Sequence, residues 1–203
     1  MVGHKMSVIR AFIAVNLSEE ILERIDQVSQ DLRKKMKGVP VRWVPVENIH
    51  LTLKFLGNVS TANLEILKDI LGNVVSSHHE CDISVGGIGA FPKSHNPRVI
   101  WIGMEVPQEL VALQHNIEIE TARLGYSREH RPFSPHLTFG RVSRNASAQD
   151  VHAIADVLET FKVGFLGAAR LKTVYLYRSD LKPDGAVYTP IYSASLGEAE
   201  QIN

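Results

Sequence analysis

The chain has 203 residues, 44% of them hydrophobic and 22% charged, with Cys81 as the single cysteine. Such a chain buries a sizeable core without disulfide or metal staples, and its ordinary composition excludes disordered, collagen-like and coiled-coil classes. Twenty-two basic residues balance 22 acidic ones, which argues against a protein that grips a long duplex and leaves room for small or terminal nucleic-acid ligands. No stretch approaches the roughly 18 apolar residues of a membrane span, so a cytoplasmic monomer is expected.

Ser7 to Val15 alternates as a first strand, with Arg10, Phe12 and Ala14 on one face and Ala11, Ile13 and Val15 on the other. Asn16-Leu-Ser-Glu19 offers a capping box for an amphipathic helix through Ile21, Leu22, Ile25, Val28, Leu32 and Met36, stopped by Gly38 and Pro40. Extended pieces follow at Val41 to Val44 and Asn48 to Gly57. Ser60 is placed to cap a second helix with a Leu64, Leu67, Leu71, Val74 stripe. Cys81 to Phe91 and Arg98 to Met104 read as strands joined by a flap-like loop at Pro92 to Pro97. Pro107 opens a third helix that ends at Gly125, and His136 to Val142 is a strand. Ser147-Ala-Gln-Asp150 resembles a capping box for a fourth helix. Two closing strands, Ala169 to Tyr177 and Ala186 to Ala194, flank a Pro183-Asp-Gly185 turn. The order predicts an α+β (mixed α/β) protein of two similar halves meeting near Ala90, packed as lobes of one domain over residues 1–203.

A repeated pattern carries the chemistry. His50-Leu-Thr-Leu53 and His136-Leu-Thr-Phe139 both lie on strand segments, so each strand offers an imidazole and a hydroxyl on one face and sends Leu51, Leu53 and Phe55, or Leu137 and Phe139, to the core. Two halves related by a pseudo-two-fold axis bring both faces to one cleft. That set suits opening a cyclic phosphate, where in-line displacement needs one group to take a proton and another to give one on the far side. Imidazole titrates near pH 6.5, so one ring can be base and the other acid. Thr hydroxyls can donate to the non-bridging oxygens. A zinc site is weakly supported, since no Cys pair or His-Glu-x-x-His helix completes a ligand set, and neither a metal nor another cofactor is expected.

Arg10-Ala-Phe-Ile-Ala14, Trp43 to Gly57, Gly89-Ala-Phe-Pro92, Pro97 to Gly103, Phe133 to Arg141 and Tyr177-Arg-Ser-Asp-Leu181 with Tyr188 together resemble the two-histidine (2H) phosphoesterase superfamily. Within it, the chain is similar to the RNA 2′,3′-cyclic phosphodiesterases, also described as 2′-5′ RNA ligases. The resemblance implies a bilobal fold with antiparallel-rich sheet, outer helices and a cleft between lobes. It implies metal-independent hydrolysis of a 2′,3′-cyclic phosphate on RNA or a nucleotide to a 2′-phosphate, with reverse 2′-5′ joining. It makes His50 the proton donor to the leaving oxygen, His136 the acceptor from water, and Thr52 and Thr138 the phosphate-binding pair.

Arg141 resembles a basic residue that follows the second motif and binds phosphate; its odd position reaches the cleft only if the strand bulges at Gly140. Lys54, in step with His50 and Thr52, is expected at the cleft rim or in solvent. Phe12 is a candidate platform for base stacking, with Trp43, Trp101 and Tyr188 as similar cases and core packing as the competing reading. Another small cyclic phosphate, a 2′-5′ oligonucleotide, or a non-catalytic RNA-end binding module are the alternative functions.

Overall fold

The first strand is buried on both faces from Ala11 to Val15, because Ala11, Ile13 and Val15 enter the core on one side while Phe12 and Ala14 are covered on the other, and only its start, at Val8 and Arg10, is exposed. The computed structural model describes residues 7–183 and 185–198; Asp184 of the expected closing turn lies outside them. The strands are β1 (Val8–Val15), β2 (Val41–Trp43), β3 (Leu51–Ser60), β4 (Cys81–Lys93), β5 (Asn96–Glu105), β6 (His136–Val142), β7 (Phe165–Leu171), β8 (Thr173–Lys182) and β9 (Gly185–Ser195). The helices are α1 (Glu19–Lys35), α2 (Leu64–Ser76), α3 (Gln108–Arg123) and α4 (Ala148–Thr160).

The strands form one curled sheet in the order β7-β4-β5-β6-β3-β1-β8-β9, with β2 pairing β6, and the named strands pair antiparallel throughout. The β6–β3 seam divides the sheet into two wings of four strands, one a continuous middle segment (β4, β5, β6 and β7) and the other built from both ends of the chain (β1 and β3 with β8 and β9). The expected halves meeting near Ala90 are thereby corrected: the chain crosses to the second wing after α2 and returns for its last two strands. Apolar stripes of the outer helices, including Ile21, Ile25 and Leu32 of α1, Leu67 and Leu71 of α2, Leu110, Leu113 and Ile117 of α3, and Ile154 of α4, complete the core. Cys81 is buried in it, and desolvation pushes its thiol up to about 11, which leaves it an inert hydrophobe.

Four local expectations are corrected. Ser18 is the N-cap of α1 and makes no side-chain cap bond, so no capping box forms over residues 16–19; the box at Ser147 and Asp150 does form. Ser60 caps a short 3-10 turn at Thr61–Asn63, and α2 begins after it. Residues 92–97 are not a flap: β4 runs to Lys93 and β5 starts at Asn96, because Pro92 and Pro97 pair across a tight hairpin. The expected single strand from Ala169 is two strands parted at Lys172, β7 pairing with β4 and β8 with β1 on opposite wings of the sheet.

Candidate active site

The central seam is narrow. Between β3 and β6 the register pairs Leu51 with Leu137, the middle residues of the two His-x-Thr motifs. In an antiparallel pair this sets His50 across from Thr138 and Thr52 across from His136. Leu51 and Leu137 are 1% and 0% exposed and point to the helices, so the flanking His and Thr side chains all turn to the opposite, concave face. The structure therefore brings the four expected residues together.

Each motif ends in a bulge. On β3, Thr52 pairs with Ala14 and Lys54 with Ile13, leaving Leu53 as an extra residue. Parity reverses there. Lys54 turns to the helix side, 3% exposed, where its Nζ donates to Glu118 Oε2 at 2.6 Å and to the Ser127 carbonyl; it lines neither the cleft rim nor solvent. Phe55 goes the other way. Expected in the core, it pairs with Phe12 and is 68% exposed on the cleft face. On β6, Thr138 pairs with Trp101 and Gly140 with Ile100, leaving Phe139 extra. Arg141, opposite Val99, thereby reaches the cleft face, where it is exposed.

The two imidazoles sit in different surroundings. His50 stacks on Phe12 with ring centroids 4.7 Å apart and meets the edge of Tyr188 at 5.3 Å. Burial holds its pKa down at about 4, against the smaller opposing effect of a hydrogen bond to the Asn48 backbone. Asn48 also donates from Nδ2 to the Ala186 carbonyl at 3.0 Å, tying β9, which carries Tyr188, to the segment before His50. His136 meets the edge of Phe91 at 4.9 Å, and its Nδ1 lies 2.8 Å from the Ser134 carbonyl. A carbonyl only accepts, so Nδ1 carries the proton and the neutral ring keeps its Nε2 lone pair for the cleft.

Phe12 is 3% exposed beneath His50, Tyr177 and Tyr188, so its ring is committed to packing. Trp43 packs edge-on to Phe139, with Arg33 of α1 over its ring, and Trp101 lies beside Thr138 on β5. Among the described residues, no group of three or more His, Cys, Asp or Glu is arranged to hold a metal ion.

A curled sheet whose central strands present paired His-x-Thr motifs to one cleft defines a 2H phosphoesterase. Two successive stretches, residues 15–101 and 102–188, match the family model described as LigT like Phosphoesterase, and each contains one His-x-Thr motif. The chain belongs to this family. It is 37% identical over 182 residues to the RNA 2′,3′-cyclic phosphodiesterase of Methanocaldococcus jannaschii, spanning 90% of this chain and 98% of that protein. To the protein of the same description from Methanothermobacter thermautotrophicus it is 33% identical over 181 residues, 89% of this chain and 95% of the relative. The crystal structure of E. coli LigT complexed with 3′-AMP is 28% identical, with a TM-score of 0.73 over 95% of this chain and 100% of that one. The phosphate complex of the same protein gives 26% identity and a TM-score of 0.71 over 94% of this chain and 99% of that one.

Proposed function

We propose that the protein hydrolyses 2′,3′-cyclic phosphate ends of RNA or nucleotides to a 2′-phosphate and a free 3′-hydroxyl, using the two imidazoles as acid and base and no metal. The observation that carries this reading is the Leu51–Leu137 register, which sets two identical His-x-Thr pairs about one local two-fold axis. Thr52, Thr138 and Arg141 hold the phosphate oxygens, where charge grows as phosphorus becomes five-coordinate. His136 takes the proton of the attacking water through Nε2, the P–O3′ bond breaks, and His50 gives its proton to the departing oxygen. His50 acquires that proton with the anionic substrate, whose charge offsets the desolvation that keeps the free ring neutral. With a 5′-hydroxyl in place of water, the same displacement joins a 2′-5′ linkage, the P–O3′ bond breaking as before. Phe55, the exposed aromatic on the cleft face, takes over the base-stacking role first considered for Phe12, which instead supports the His50 ring. Both motifs come from one chain, so a monomer suffices.

One observation favours exchanging the two roles: a His50 that is neutral down to about pH 4 is already in the form a base requires. Phosphorus NMR on a short RNA with a 2′,3′-cyclic phosphate end, incubated with the protein in excess EDTA, tests the function. A 2′-phosphate product supports it; turnover that appears only with added metal, or none with any cyclic phosphate, overturns it.

A further inference from the structure

Arg42 on β2 pairs across the antiparallel ladder with Arg141 on β6. Two like charges directly opposite one another destabilise a sheet unless something neutralises them. Both residues are exposed, and neither forms an ion pair or side-chain hydrogen bond with another described residue.

The face they share follows from their neighbours. Val41 and Trp43, on either side of Arg42, both close over Gly140: a Cβ there would meet Val41 Cγ1 at 3.1 Å and Trp43 Cε3 at 3.3 Å. Trp43 also packs on the fully buried Phe139 and under Arg33 of α1. Residues 41 and 43 therefore belong to the helix side. Arg42, between them, projects from the concave side, the side of His136, Thr138 and, beyond the Phe139 bulge, Arg141.

From Thr138 to Arg141 the ladder advances two rungs, Trp101 to Val99, about 7 Å at the usual rise of a strand. Arg42 stands across from Arg141 on the edge of β6 that also pairs with β3, the edge away from β5. We infer that Arg42, with Arg141 bridging it to the scissile phosphate, forms a second phosphate subsite, which takes the phosphodiester on the 5′ side of the terminal nucleotide, so that the substrate is an RNA strand of two or more nucleotides. The inference rests on the proposed function for the placement of the strand end at the histidines. A ribose held by its 2′ and 3′ oxygens at the centre sends its base and its 5′ chain in different directions. Phe55, past Leu51 on β3, and the arginine pair, past Leu137 along the antiparallel β6, lie toward opposite ends of the central seam and suit those two parts. A guanidinium pair is matched to a phosphodiester by charge and by its fork of donors.

The test compares the wild-type protein with Arg42→Ala and Arg42→Glu, whose side chain is on the surface. Binding of a 5′-fluorescein tetranucleotide RNA with a 2′-phosphate end is followed by anisotropy between 50 and 300 mM KCl. Loss of one phosphate contact lowers the slope of log Kd against log salt by about 0.7 in Arg42→Ala, and Arg42→Glu weakens binding further. In turnover, the ratio of kcat/KM for a tetranucleotide cyclic phosphate to that for a mononucleotide 2′,3′-cyclic phosphate falls about ten-fold. A salt slope equal to wild type in both variants overturns the subsite. Absence of turnover by the wild-type protein counts against the proposed function alone, and the salt slope then still decides for or against the arginine pair.

Discussion

Leu51 lies directly opposite Leu137 at the seam between β3 and β6. Neither touches the cleft, yet their pairing sets the mutual position of four side chains that do. A slip of one residue would turn one motif to the helices, so the apolar pair fixes the alignment of the two imidazoles proposed as acid and base. Replacing either histidine by alanine leaves that seam intact. His50→Ala and His136→Ala are each expected to lower kcat by about 100-fold or more, with wild-type circular dichroism. Near-wild-type turnover in either variant removes that ring from the reaction.

The buried His50 also makes stability depend on pH. Its folded pKa is about 4 against 6.5 for the free side chain, so the unfolded chain binds a proton that the folded chain refuses. The ring's contribution is fully present above pH 6.5 and declines as pH falls toward 4, by about 3 kcal/mol in all. Urea unfolding of wild type and His50→Gln at pH 7.5 and 4.5 isolates it: wild type loses more on acidification. Equal losses sink the idea.

An anion in the cleft reverses the desolvation of that ring. Sulfate does not titrate itself near neutrality, and its binding at pH 6 is expected to draw a proton from the buffer onto His50. Calorimetry in two buffers of different ionisation enthalpy measures the uptake. A value near one proton supports His50 as the acid; zero supports the exchanged roles.

Lys54 and Glu118 make a pair that is 2% and 8% exposed in its side chains. Glu118 Oε2 also accepts from the Glu129 backbone at 3.1 Å, and Gln114 Nε2 donates to the carbonyl of the bulged Leu53 at 3.2 Å. Lys54→Met strands a carboxylate in the interior, at an expected cost of about 3–5 kcal/mol. The double variant Lys54→Met/Glu118→Leu should recover most of it in urea unfolding; a double variant no more stable than the single one argues against a charge penalty.

Residue spacing made the two motifs and most elements legible, because period-two and three- to four-residue repeats report which face is buried; the division of the chain between the two wings was not, since only long-range pairing returns β8 and β9 to β1. Bulges leave no such trace. Simple alternation sent Phe55 inward and Lys54 outward, and one extra residue at Leu53 reverses both. Arg141 was foreseen as depending on a bulge, and the register supplies it at Phe139. Lys54 was misread for a second reason: its partner Glu118 lies on α3, and nothing local announces an ion pair across 64 residues. Arg42 drew no attention because its meaning lies in the strand opposite. The break at Lys172 has no turn signal in the sequence, and only long-range pairing separates the two strands.

The two bulges also leave the halves unlike where they are otherwise copies. Two residues past each bulged position, the first motif's strand presents a phenyl ring at Phe55 and the second a guanidinium at Arg141. A catalytic frame that is symmetric about its seam would accept a strand in either direction. The mismatched flanks remove that ambiguity: entering backwards, a strand would lay its charged backbone on a hydrocarbon face and its base among cations. In the binding mode proposed above, polarity of the RNA is thus read outside the chemistry, by the side chains that the repeat does not share.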